Sequence, residues 1–170
     1  KVGRNEITVP KLSSTDVEKG GALYVQYTGN DPKDQYAVRV SGGTAFPVLN
    51  LYRVPEAEKA EKIRSYVTAL RTYVEGLSET HMQSHQSGQN EQVKGYAYDA
   101  MTCILNTTDI VTDYMMLSVP ASQVLSGLGE DADARMEETL QAMDNMLTLF
   151  YQHKGLTDAF AEGTSAEITA

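Results

Sequence analysis

The chain has 170 residues, with 14 Lys or Arg against 23 Asp or Glu, which gives a formal net charge of −9. Its 41% of hydrophobic residues is typical of a folded protein, and its length suits one domain with a core. Because 18 of the 23 acidic residues follow residue 55, phosphate backbones are repelled there and nucleic-acid binding is not expected. No apolar run approaches the roughly 20 residues that cross a bilayer as a helix, so no membrane span is expected.

The N-terminal third of the chain indicates an arm followed by a small sheet. Residues 1–20 are polar and predict an extended arm that orders only on a neighbour. Apolar and polar side chains then alternate in 22–28 and 36–40, and 44–54 is a third β-rich run. These three runs predict a three-stranded antiparallel β-meander. Pro47 is expected at a strand edge or start, because it has no N–H to donate to a neighbouring strand.

Beyond Pro55 the apolar spacing changes to that of a helix. Acidic residues fill the first turn, where the helix dipole favours them, and apolar positions recur at intervals of three and four. This pattern predicts a helix over 55–77, whose apolar positions are Ala60, Ile63, Val67, Leu70, Val74 and Leu77. The polar stretch 78–92 is compatible with a loop or with an extension of either neighbouring helix.

A second stretch of helical spacing predicts a helix over 91–117. Its apolar positions are Val93, Ala97, Ala100, Ile104, Val111 and Tyr114. Pro120 ends this helix, because proline cannot continue it, and precedes a short helix at 121–127.

The last predicted helix covers 131–153. Asp131 or Asp133 is suited to cap its start, and Gly155 is suited to cap its end. Its apolar positions are Met136, Leu140, Met143, Leu147 and Phe150. The fold predicted from all these elements is α+β and mostly helical, with a small N-terminal antiparallel β-meander packed on a three- to four-helix antiparallel bundle.

The predicted organisation is one domain with a free segment at each end. The extended arm occupies 1–20, and a flexible tail occupies 161–170. A single α+β domain fills 21–160, with the meander in 21–54 and the helical bundle in 55–155.

His81 and His85 are the strongest candidates for a metal site. They are four residues apart, so on a helix both imidazoles would lie on one side, as two ligands of one divalent ion require. A zincin-like motif needs Glu directly after the first His, and this chain has Met82 there. The favoured interpretation is two solvated histidines in a polar connector, so neither a metal nor another cofactor is expected.

Other residues that could carry chemistry point away from catalysis. Asp109 and Asp113 share one side of the predicted 91–117 helix, off its apolar stripe, so both are expected to face water. Cys103, the single cysteine, falls inside that helix and is expected to be a buried, inert thiol. No catalytic residue is therefore assigned, and the chain is not expected to be an enzyme.

Ten tyrosines against three phenylalanines and no tryptophan favour a surface for protein contacts. Four of these tyrosines fall in the predicted sheet, namely Tyr24, Tyr27, Tyr36 and Tyr52. An exposed tyrosine face would suit a protein partner. The alternative is that the rings cover the core between sheet and helices, with their hydroxyl groups at the rim.

Near the end of the chain, Ser165-Ala166-Glu167 resembles the small-x-Glu sites that head-maturation proteases of large tailed phages cut. The resemblance covers these three residues and implies proteolytic maturation within a virion or another particle. Because the chain begins with Lys1, removal of a leader, trimming and cleavage during maturation all stay open. The location is open in the same way, between a cytoplasmic or particle-associated protein and an exported one.

The sequence thus favours a non-enzymatic structural or assembly protein that acts through a protein partner or self-association, in a proteolytically matured virion or particle. One alternative is a cell-envelope or secreted domain that binds a small apolar ligand between sheet and helices. A second alternative is a metal-dependent enzyme that uses His81 and His85.

Overall fold

A computed structural model describes residues 5–6, 22–25, 38–87, 98–101 and 103–155, and for 82–87 the backbone alone. In chain order the elements are β1 (Val48–Asn50), α1 (Glu56–Ser87), β2 (Thr108–Val111), β3 (Met116–Val119), α2 (Ala121–Leu128) and α3 (Ala132–His153). The fold is α+β, and about half of the described chain is helical. Within the described ranges, each helix is too short or too polar to serve as a membrane-spanning segment.

The sheet is mixed and differs from the predicted antiparallel meander. Its order is β1-β2-β3, with β1 parallel to β2 and β2 antiparallel to β3. Of the three predicted strands, the run 44–54 contains β1, directly after Pro47 as expected. The described parts of the other two, 22–25 and 38–40, lie outside strands, and their remaining residues are outside the described chain. Alternation of apolar and polar side chains did not by itself specify a strand here. A strand also needs a hydrogen-bonded neighbour, and the neighbour of β1 comes from residues far along the chain.

The hairpin of β2 and β3 replaces much of the predicted 91–117 helix, so that prediction is wrong from residue 98 onward. The run Thr107 to Thr112 is rich in β-branched side chains, which are restricted at χ1 in a helix and pack well on a pleated strand. A tight loop joins the strands, in which the Thr112 N–H donates to the Met115 carbonyl over 2.9 Å. The apolar positions at helical spacing also fit this strand-loop-strand arrangement.

Helix α1 confirms the predicted helix over 55–77 and continues it to Ser87, so the described part of 78–92 is helix. Pro55 directly precedes it, and its carbonyl accepts the Glu58 N–H over 2.9 Å. Of its six predicted apolar positions only Ala60 is exposed; the others are buried or half-buried. The seam therefore packs as its spacing predicted.

Helices α2 and α3 confirm the predicted helices at 121–127 and 131–153 within one or two residues. Gly129 separates them with φ 68°, and Gly155 follows α3 with φ 71°, both in the left-handed region that favours glycine. Asp131 occupies the N-cap position of α3 but its side chain makes no capping hydrogen bond, contrary to expectation. Three helices are present in the described part of the chain, and α1 contacts both of the others.

The core lies where α1 packs against the sheet, α2 and the first half of α3. A set of buried apolar side chains fills it, drawn from every element except β3, of which Leu117 and Val119 pack half-buried against the core. Its largest members are Leu49, Leu51, Ile63, Tyr66, Val67, Leu70, Ile110, Leu128, Met136 and Leu140. Burying each such side chain contributes roughly 1.5–3 kcal/mol. Apart from residues 5–6, the predicted arm 1–20 is outside the described residues, and so is the predicted tail 161–170.

Candidate functional site

His81 lies inside the protein, not in a solvated connector as predicted. It follows Leu77 by one helical turn and extends the buried seam of α1, so its side chain is only 4% exposed. Continuing the three-and-four spacing beyond residue 77 would have identified this position. His85 belongs to the same helix, but its side chain is outside the described residues.

Cys103 is buried as predicted, with 6% exposure, but it lies in an irregular segment and not in a helix. Its Sγ is 3.0 Å from His81 Nδ1, so the thiol and the imidazole form a buried hydrogen-bonded pair. Which of the two atoms carries the hydrogen depends on the tautomer of the imidazole. No residue spacing could have predicted this pair, because its two residues come from a helix and a loop.

The segment that carries Cys103 is fixed by hydrogen bonds from both sides. The Asn106 amide nitrogen donates to the Ala100 carbonyl and to Ser122 Oγ, both over 2.8 Å, and its Oδ1 accepts the Ser122 N–H over 2.9 Å. From α1, the Tyr73 hydroxyl donates to the Leu105 carbonyl. These bonds hold the segment between α1 and α2 and thereby place Cys103 against His81.

Two phenols surround the pair and remain protonated at neutral pH. Burial, then the nearby Cys103 and Tyr98, raises the pKa of Tyr73 to about 12. Burial also raises the pKa of Tyr98, whose ring meets the His81 ring edge-on with centroids 5.3 Å apart. A thiol beside an imidazole can act as a nucleophile, but a nucleophile must reach its substrate, and this one is enclosed.

The metal hypothesis for His81 and His85 receives no third ligand from the described residues. Among them, no group of three or more His, Cys, Asp or Glu side chains is arranged to hold an ion. Among the described residues, the Cys103 thiol lies at hydrogen-bond distance from the His81 imidazole.

Asp109 is buried, contrary to the expectation that it faces water. It lies in the middle of β2 with 1% exposure, and Ser118 Oγ on β3 donates to its Oδ1 over 2.7 Å. Asp113 is exposed as expected, and its carboxylate accepts the Arg53 N–H over 2.7 Å. The side assignment was wrong for Asp109 because the segment is the central strand of the sheet and not a helix, and its consecutive residues Thr108, Asp109 and Ile110 are all buried.

Of the four tyrosines predicted to form an interaction face, the structure describes two. Tyr24 and Tyr52 are both about half-exposed. The Tyr24 hydroxyl is 3.5 Å from Ser118 Oγ on β3, whereas the Tyr52 ring lies under the Arg53 guanidinium, 5.0 Å from its centroid. Tyr27 and Tyr36 are outside the described residues.

Among the helix side chains that the structure describes, the large exposed apolar ones lie on the second half of α3. Met146 is 61% exposed, Leu149 65% and Phe150 54%, and we call these three residues the α3 stripe. The predicted seam of this helix begins in the core with Met136 and Leu140 and ends exposed at Phe150. The second half of α3 is therefore exposed on the face that carries the α3 stripe, whereas Met143, Asp144, Leu147 and Tyr151 on it are half-buried.

A shallow hollow of about 410 Å³ borders the stripe, and we call it the α3 hollow. It is lined by Glu137, Glu138, Gln141, Ala142 and Asn145. A second hollow of about 320 Å³ lies between β1 and α1, with Val48, Asn50 and Lys62 in its walls. Both are open to solvent, so neither encloses a small apolar ligand.

Two places therefore combine unusual geometry with chemical meaning. One is the enclosed pair of His81 and Cys103, and the other is the α3 stripe with its hollow. The pair has reactive atoms that a substrate does not reach. The stripe and its hollow are exposed but have no reactive atoms. No protein-family model, curated protein or solved structure matches this chain.

Proposed function

We propose that this chain is a non-enzymatic assembly protein that acts through protein–protein contacts at the α3 stripe. The observation that carries the proposal is the exposure of Met146, Leu149 and Phe150, each more than half, on one helix. Residues three and four apart share a face of a helix, so the three side chains form one continuous apolar surface. Such a surface marks an interaction site more often than a lone exposed residue does.

Energetics support a protein partner for this surface. Fully burying one large apolar side chain contributes roughly 1.5–3 kcal/mol, so covering three of them offsets much of the entropy that association costs. The stripe lies on a regular helix that the core already holds at its other end, so little ordering is needed before a partner binds. A virion or another particle that matures by proteolysis is a setting in which such repeated contacts are used.

A photo-crosslinking residue placed in the stripe tests this proposal directly. We expect a photoreactive phenylalanine at position 149 or 150 to form a discrete adduct with a protein in the native source of the chain. The same residue at Arg71, which is exposed on α1, is the matched control and should form none. Absence of an adduct from the stripe, or equal adducts from Arg71, would refute the assembly function.

A second candidate function, thiol-dependent catalysis at Cys103, is favoured by one observation, the 3.0 Å contact with His81. The two functions differ in the reactivity of that thiol. A catalytic thiol would be alkylated rapidly by iodoacetamide in the folded protein, and His81→Gln would slow the reaction. An assembly protein with an enclosed thiol should react only as it unfolds, and His81→Gln should then speed alkylation by weakening the fold.

A further inference from the structure

We infer that the α3 stripe is covered by a second copy of this chain, whose α3 lies antiparallel in one defined register. The inference rests on the proposed function and names the partner for the same surface. Its basis is a match between three groups on α3: the stripe, the hollow beside it, and the charges at the two ends of that surface.

The charges are opposite in sign at the two ends. Glu137 and Glu138, the acidic pair, lie at one end of the hollow. His153 and Lys154, the basic pair, follow the stripe at the end of the helix, where the Lys154 ammonium is 5.9 Å from the Phe150 ring centroid. An antiparallel partner brings the acidic pair of one copy next to the basic pair of the other, whereas a parallel partner would bring like charges together.

The register follows from the positions of these groups along the helix. We place the twofold axis between Asn145 and Met146. A residue that precedes the axis by a given number of positions in one copy then lies beside the residue that follows it by the same number in the other copy. The level pairs are then Asn145 with Met146, Ala142 with Leu149, Gln141 with Phe150, Glu138 with His153 and Glu137 with Lys154. All five residues that line the α3 hollow therefore lie level with the stripe or the basic pair of the second copy.

Side-chain size and direction agree with this register. Leu149 and Ala142 are two heptad-spaced positions, within about 20° of each other around the helix, so both can face the partner. Ala142 is the smallest side chain of the hollow and leaves room for the Leu149 of the second copy. Because the axis relates the copies symmetrically, this contact and the contact between Glu138 and His153 each occur twice.

The contact is restricted to one helix of each copy, which limits its strength. Specific stable interfaces bury about 800 Å² per partner, and a single helix pair of this length falls at or below that size. We therefore expect a reversible dimer that forms as the protein concentration rises, with its mass doubling from 18.6 kDa.

Charge reversal tests the pairing of the two ends by sedimentation equilibrium of the full chain. We expect Glu137→Lys with Glu138→Lys to weaken dimerisation about tenfold or more, and His153→Glu with Lys154→Glu to do the same, because each places like charges level. Combining all four substitutions should restore dimerisation. The side chains are exposed, so each variant should keep its helical circular dichroism.

A disulfide test locates the axis independently of charge. In a Cys103→Ala background, Asn145→Cys lies beside the axis and should form a covalent dimer on mild oxidation. Residue 137 of one copy lies far from residue 137 of the other. Glu137→Cys is therefore the matched control and should stay monomeric.

Any one of three outcomes would overturn the inference. The wild-type chain could stay monomeric at all concentrations, the variant with all four charge substitutions could fail to dimerise, or disulfides could form equally at positions 145 and 137. A stripe adduct to another protein, obtained with a monomeric chain, would overturn the second-copy partner and leave the assembly function standing. Loss of every stripe adduct would instead refute the function itself.

Discussion

Tyr66 and Thr108 join the middle of α1 to the start of β2 inside the core. The Thr108 hydroxyl donates to the Pro47 carbonyl over 2.8 Å and has a single hydrogen, so the Tyr66 hydroxyl must be the donor across their 2.9 Å contact. Burial raises the pKa of Tyr66. Through these two hydrogen bonds the pair connects α1 and β2 to Pro47, which directly precedes β1.

We expect Tyr66→Phe to lower the free energy of unfolding by about 1 kcal/mol, because it removes a buried hydrogen bond and leaves the packing intact. Urea denaturation at neutral pH measures the change. Tyr52→Phe, on an exposed ring, is the control and should alter stability little. Equal effects of the two variants would show that the core hydrogen bond contributes nothing.

Tyr73 should make the protein sensitive to alkali. Its pKa is raised to about 12 in the folded chain from an ordinary value of 10.0. The stabilisation from the neutral phenol is therefore fully present below pH 10 and is lost as the pH rises toward 12. We expect Tyr73→Phe to be less stable than wild type at pH 8, where it lacks the bond to Leu105, but to lose less stability between pH 8 and 11. Parallel loss in both proteins over that interval would contradict this explanation.

Among the secondary-structure elements, α1 shows what helical spacing can predict. The seam from Ile63 to Leu77 was predicted correctly because each position repeats the same three-and-four interval. The helix passes through Gly76, which disfavours a helix only modestly, and through polar residues after it that do not oppose one. The same spacing failed after residue 98, where β-branched side chains and a distant strand favoured a hairpin.

Glycines in two elements give a paired prediction about backbone energetics. A Cβ at Gly76, inside α1, would meet no atom within 4 Å, so Gly76→Ala should raise the free energy of unfolding by about 0.5–1 kcal/mol. Gly129 has φ 68° and ψ −148°, a conformation that is costly for other residues, so Gly129→Ala should lower it by about 1–2 kcal/mol. Thermal unfolding of both variants checks the signs, and a destabilising Gly76→Ala would mean that α1 is not a continuous helix there.

Helix α3 shows where sequence prediction of a surface ends. Its predicted apolar positions from Met136 to Phe150 follow one interval, yet they pass from buried at Leu140 through half-buried at Met143 and Leu147 to exposed at Phe150. The difference arises because the core ends near Leu140 and the helix does not. The α3 stripe could therefore be recognised only from the packed structure.

In the whole molecule, the parallel pairing of β1 with β2 brings together strands about 60 residues apart, with Leu49 level with Ile110. Neither strand's local pattern specifies that partner, and for the same reason the contact of His81 with Cys103 was missed. Fold class and the positions of α1, α2 and α3 could be predicted from local spacing, whereas the helix predicted over 91–117 was wrong. Sheet topology and both candidate sites depend on contacts between distant segments.

The central claim about the whole molecule is that the second half of α3 is an interface between copies. Hydrogen–deuterium exchange of the wild-type chain, measured dilute and concentrated, tests it most directly. The amides of 142–153 should exchange more slowly in the concentrated sample, because the antiparallel partner covers them, while those of 63–77 in the core should not change. Identical exchange of 142–153 at both concentrations would contradict the claim.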